Sequence, residues 1–152
     1  MANSSILALD MASHTGWAFR CADGSIQSGT ALFLGTLNRG GRWLRFEDWL
    51  KTLPAKLIVY EEPFVHFKHR QGLGLGYGFE AILRLHCARN EIRCVGVSNS
   101  ALKKWATGDG AASKDKMLRF AQSMGWSISD YDECDARWLL EYAIKRIVKS
   151  KG

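Results

Sequence analysis

Two short apolar runs, Ile6-Leu7-Ala8-Leu9 and Leu57-Ile58-Val59-Tyr60, constrain the fold more than any other feature of the sequence. An unbroken apolar run of this length lacks the polar alternation of a half-solvated strand. It reads as a central strand covered on both faces. Each run ends on a carboxylate, Asp10 in the first and Glu61 in the second. An Asp behind a strand is commonly a turn former. Here Thr15-Gly16 predicts a tight turn just beyond it, with Trp17-Ala18-Phe19 as the second strand.

The rest of the chain supplies what would cover these strands. Cys21-Ala22-Asp23-Gly24 predicts another turn, Asp-Gly being a strong hairpin signal, and Ser25 to Phe33 a third strand. After a loop from Gly35 to Gly41, Trp43, Leu44, Phe46, Trp49, Leu50 and Leu53 recur at helical spacing and stop before Pro54. The segment from Phe64 to Gly78 carries glycines at 72, 74, 76 and 78 and predicts a flexible loop that grades into a helix at Phe79. It lacks the Gly-Lys-Ser/Thr ending of a phosphate-binding loop. Ile92 to Val97 is a further strand, and Ser98-Asn99-Ser100 supplies the N-cap of a helix carrying Leu102 and Trp105. Ser113 caps another helix, ended by Gly125, and the last helix spans about Asp132 to Ile147. Hairpins first and α/β crossovers later imply an α/β fold, a mixed five-stranded sheet flanked by helices. The 152 residues suit one domain over 1–152.

The net charge of +6 favours a polyanionic partner. Basic residues gather at Arg39–Arg45, His66–Arg70, Lys103-Lys104, Lys114–Arg119 and Lys145–Lys151, although any one cluster alone also fits a solvated face. No apolar run approaches the roughly 18 residues of a membrane span, and residues 1–5 lack a signal-peptide pattern. Cys21, Cys87, Cys94 and Cys134 show no C-x-x-C spacing and read as reduced thiols. A cytoplasmic location with no membrane partner is the expectation.

Asp132 and Asp135 open the final helix at i and i+3, on one face. Two readings stand open for them. Acids in a first turn complement the helix dipole. Alternatively they join Asp10 and Glu61, and such a cluster calls for a hard divalent cation, because like charges at close range disfavour ionisation.

Asp10 followed by Thr15-Gly16, Val59-Tyr60-Glu61 closing a later strand, and Asp132-x-x-Asp135-Ala136 opening the C-terminal helix together resemble the RuvC family of Holliday junction resolvases. The likeness covers nearly the whole chain in the same element order. It implies a ribonuclease H-like fold, a homodimer, and cleavage of four-way DNA junctions with Mg²⁺, for which Mn²⁺ is a plausible substitute. Asp10, Glu61, Asp132 and Asp135 match the family's catalytic, metal-binding acids. Lys114 matches a lysine that assists near the cleaved phosphate, and Lys103 falls near another basic residue. Phe64 matches an aromatic that inserts at the junction centre. Two ions about 4 Å apart would serve in-line hydrolysis, with Asp10 bridging them. The basic loop with His66, Lys68, His69 and Arg70 would hold backbone phosphates without reading bases.

Met11-Ala12 stands where the family has Pro-Gly, and Glu62-Pro63 is not its usual continuation. A broader branched-DNA or flap nuclease is therefore the alternative. A nucleotide-binding module of the actin–hexokinase type would need a second phosphate-binding hairpin and a longer chain.

Overall fold

The computed structural model describes residues 4–35, 37–63 and 70–149, the first four of the last segment by backbone only. In chain order the elements are β1 (Ile6–Asp10), β2 (His14–Arg20), β3 (Ile26–Leu32), α1 (Gly41–Lys51), β4 (Leu57–Glu61), α2 (Arg70–Arg89), β5 (Arg93–Val97), α3 (Asn99–Thr107), α4 (Lys114–Ser123) and α5 (Tyr131–Tyr142), the last continuing into a π-helical turn over Ala143–Val148. The strands form one sheet in the order β3-β2-β1-β4-β5. β1–β2 and β2–β3 pair antiparallel, whereas β1–β4 and β4–β5 pair parallel. The two apolar runs are thus β1 and β4, in the middle of the sheet, and every residue of Ile6–Leu9 and Leu57–Tyr60 is buried. This is the mixed α/β sheet that the sequence predicts.

Strand alternation divides the apolar side chains between two cores. Ile6, Ala8, Leu57 and Val59 face Leu102 of α3, Met117 of α4 and Leu139 and Leu140 of α5. Leu7, Leu9, Ile58 and Tyr60 face Phe46 and Leu50 of α1 and Phe79 and Leu83 of α2. The second core is rich in aromatic edges, with Phe46 5.0 Å from Phe79 and 5.3 Å from Phe33, both edge-to-face. Each fully buried side chain of this size contributes about 1.5–3 kcal/mol. The caps form as expected. Ser98 accepts the Ala101 N–H at 3.2 Å, Ser113 accepts the Lys116 N–H at 3.1 Å, and Gly108 and Gly125 end their helices at φ of 81° and 85°.

Two local expectations are corrected. Thr15 and Gly16 do not make the first turn; both lie inside β2, where Gly16 pairs with Asp10. The turn is residues 11–13. The buried Thr15 hydroxyl closes it, donating to the Ala12 carbonyl at 2.6 Å and accepting the Ala12 N–H at 3.3 Å. A hydroxyl can replace a backbone partner in this way, so the turn needs no glycine of its own.

The second correction concerns the glycine-rich segment, which is helical from Arg70 onward. Intrinsic propensity disfavours this, at about 1 kcal/mol per glycine relative to alanine. Packing reverses it where the helix must come close. A Cβ at Gly78 would stand 2.5 Å from the Trp43 ring, and one at Gly76 3.2 Å from Pro63. The remainder of the expected loop, Phe64 to His69, lies outside the described residues.

Candidate active site

Asp10 ends the β1 face that begins with Ile6 and Ala8, and Glu61 ends the β4 face that begins with Leu57 and Val59. The strands are parallel neighbours with Ala8 opposite Val59. Both carboxylates therefore leave the sheet at the same edge and on the side covered by α5.

Three local features bring the start of α5 to that edge. At Gly16, opposite Asp10, an added Cβ would stand 1.9 Å from the Asp132 carbonyl oxygen. Only glycine allows the helix so close to the strand. The hydroxyl of Thr30 on β3 donates to the Asp130 carboxylate, and that of Ser28 donates to Glu133 at 2.7 Å. Asp130 also caps α5, accepting the Asp132 N–H at 3.1 Å. Two of the acids around this first turn, Asp130 and Glu133, are thus engaged by the sheet.

Asp135 then meets the strand-end acids. One carboxylate oxygen from each of Asp10, Glu61 and Asp135 lies within 4.8 Å of the others. All three are half-buried. The side-chain amide of Asn99, at the start of α3, donates to Glu61 and orients it. Asp132 stands beside this group, near enough for its charge to act on Asp10 and Asp135, but it is not one of the converging trio.

The electrostatics follow from this crowding. Burial holds the Asp10 carboxyl well above its ordinary range; the charges of Glu61 and Asp135, a hydrogen bond with Glu61 and the charge of Asp132 push it further. Burial likewise raises Asp135 to about 7, reinforced by Glu61 and Asp132, while Lys103 and Lys114 pull it back. Asp132 is raised by burial and Asp130, and lowered by Lys114 and His14. Crowding of this kind favours the protonated form of Asp10 and Asp135, and a bound cation would remove that preference. Hard carboxylate oxygens suit a hard divalent cation rather than a soft metal.

Both expected lysines border the acids. Lys103 on α3 acts through space on Asp135, and Lys114 at the start of α4 acts on Asp132 and Asp135. The Lys114 ammonium lies 6.0 Å from the centre of the Tyr131 ring, whose hydroxyl donates to Asp115. A cavity of about 340 Å³ adjoins Asp132, lined by Met11 to His14 from the first turn and by Leu75 and Gly76 of α2. Phe64, His66, Lys68 and His69 lie outside the described residues, and of Arg70 only the backbone, at the start of α2, is described. The sequence offered no sign of Asn99 beyond its place in a capping triplet, nor of Gly16 beyond a turn.

No protein-family model matches the chain. No curated protein matches its sequence. Solved structures do match its fold. RuvC of T. thermophilus, solved in complex with a Holliday junction substrate, has 12% identity and a TM-score of 0.70, with 90% of each chain covered. The Thermus thermophilus RuvC structure has 14% identity and a TM-score of 0.69, over 92% of this chain and 95% of that one. The yeast mitochondrial Holliday junction resolvase Ydc2 has 12% identity and a TM-score of 0.58, over 99% and 85%. This chain has the ribonuclease H-like fold of the RuvC resolvases over nine-tenths of its length.

Proposed function

We propose that the chain is a divalent-metal-dependent endonuclease that resolves four-way DNA junctions by paired phosphodiester hydrolysis. The observation that carries this reading is the convergence of Asp10, Glu61 and Asp135 at one sheet edge, bordered by Lys103 and Lys114, in a fold shared with a protein solved on a Holliday junction. Asp10, Glu61 and Asp135 would hold the ion or ions, with Asp132 completing the shell from the adjoining turn. Bound Mg²⁺ supplies activation of the attacking water and stabilisation of the leaving oxygen. Asn99 fixes the Glu61 carboxylate, so the oxygens are oriented before DNA arrives. Lys114 and Lys103 neutralise charge that develops on the phosphate. The segment with His66, Lys68, His69 and Arg70 grips backbone phosphates, and Phe64 stacks on an unpaired base. Paired cuts need two such centres, so the working unit is a homodimer of single-domain chains.

The test compares cleavage of a four-way junction, a flap and linear duplex, each with and without Mg²⁺. Junction cutting that requires the ion, and that falls by at least about 100-fold in Asp10→Asn while junction binding persists, is the expected result. Equal cutting of all three substrates would overturn junction selectivity and leave the broader branched-DNA nuclease. Loss of folding together with binding in Asp10→Asn would make Asp10 a structural turn residue instead.

A further inference from the structure

Behind the acid centre, Ala101, Lys104 and Trp105 of α3 face Tyr142 and Arg146 across a solvent-open cleft of about 730 Å³. Among the described residues its lining contains no carboxylate. Lys104 and Arg146 are both exposed, and neither has an acidic partner among the described residues. The aromatic wall between them is fixed in place. The Trp105 ring meets Tyr142 edge-on at 5.6 Å and Trp138 at 5.9 Å, and the Trp138 indole N–H donates to the Met117 carbonyl at 3.1 Å. Two cations with no acidic partner among the described residues flank a fixed aromatic wall, an arrangement that suits an anion with an apolar part beside it.

α3 carries residues of both the cleft and the acid centre. That helix starts at Asn99, which holds Glu61, and passes Lys103, which acts on Asp135, before reaching Lys104. Along α5 and its π-helical turn, Arg146 lies roughly 16 Å beyond Asp135 at the usual rise per residue. A shallow, open cleft encloses too little of a small anion to hold it. An extended polyanion, held at successive phosphates, is the better occupant. The distance is also comparable to a DNA groove, whose major side is about 12 Å wide. A phosphate backbone lying across a groove from the acid centre would come within reach of this cleft.

We infer that the Lys104–Arg146 cleft holds the sugar–phosphate backbone of the duplex arm that is cut at the acid centre, the cations pairing with phosphates and Trp105 packing on sugar. The inference rests on the junction-nuclease reading. Its test uses the full chain carrying Asp10→Asn, which blocks cleavage, and measures junction binding by fluorescence anisotropy across a salt series. Adding Lys104→Ala and Arg146→Ala is expected to lower the slope of log affinity against log salt by about 1.8, each lost phosphate contact accounting for about 0.9. Lys104→Arg with Arg146→Lys should keep the parent slope. An unchanged melting temperature in both pairs excludes unfolding as the cause. If the parent binds the junction and the alanine pair keeps its slope, the cleft is off the DNA path and this inference alone fails. If the parent binds no junction at any salt, the nuclease reading fails as well.

Discussion

Glu61 and Glu62 are sequence neighbours that point to opposite sides of the sheet. Glu61 continues the face of Leu57 and Val59 toward α5, where Asp135 waits. Glu62 continues the face of Ile58 and Tyr60; its Cγ and Oε1 lie 2.9 Å from where a Gly96 Cβ would stand, next to the Tyr60 ring. Periodicity alone says only that the pair diverges. It is the side on which α5 packs that makes one of them a metal-ligand candidate. Glu61→Gln should therefore lower Mg²⁺-dependent junction cleavage by at least about 100-fold, while Glu62→Gln should retain it within a few-fold. Single-turnover cleavage rates separate the two. The reverse outcome would mean that the register at the end of β4 is shifted by one residue.

At the scale of elements, the site depends on how closely α5 lies on β2. Gly16→Ala drives a methyl group into the Asp132 carbonyl, a backbone atom that cannot rotate away. The first turn of α5 must lift, and Asp132 and Asp135 must move with it. The expected loss is about 3 kcal/mol in urea unfolding, with cleavage falling further than stability. Gly74→Ala is the contrasting change. Gly74 lies in the interior of α2, and a Cβ there meets nothing within 4 Å among the described residues. Replacing it should stabilise by about 0.5–1 kcal/mol, because alanine loses less backbone freedom on folding. Equal effects at the two positions would show that Gly16 is not a contact point for the helix.

For the whole molecule, the crowded acids make stability depend on pH. Asp135 is raised to about 7 in the fold, against about 3.9 for an unfolded Asp. The folded chain therefore binds more protons between these values than the unfolded chain, and stability falls as pH rises through that window. Asp10, also raised, acts in the same sense. Without added divalent ion, the melting temperature should fall between pH 4 and 8 (roughly the titration window), and Mg²⁺ should restore much of it at the upper end. Asp135→Asn should be more stable than the parent at high pH without metal, and should respond less to Mg²⁺. A melting temperature that ignores both pH and Mg²⁺ would mean that the acids are solvated independently.

How much of this was legible in the sequence depends on the range of the interactions involved. Ile6–Leu9 and Leu57–Tyr60 announce central strands because burial on both faces leaves no polar alternation. Ser98 and Ser113 announce helix starts because a cap is satisfied within three residues. The acids at the strand ends were equally visible, as candidates. Contacts between distant segments decided the rest. Thr15 and Gly16 became strand because a side-chain hydroxyl closed the turn before them and a helix from the far end of the chain needed the space at Gly16. The segment from Arg70 to Gly78 became helix although its glycines argue locally against one. Asp135 joined Asp10 and Glu61, and Asp132 stood beside them, because Ser28 and Thr30 anchor the first turn of α5 through Glu133 and Asp130. Local patterning reports which face of an element is apolar; only the packed chain determines which polar groups are forced together, because that depends on how closely two backbones can approach.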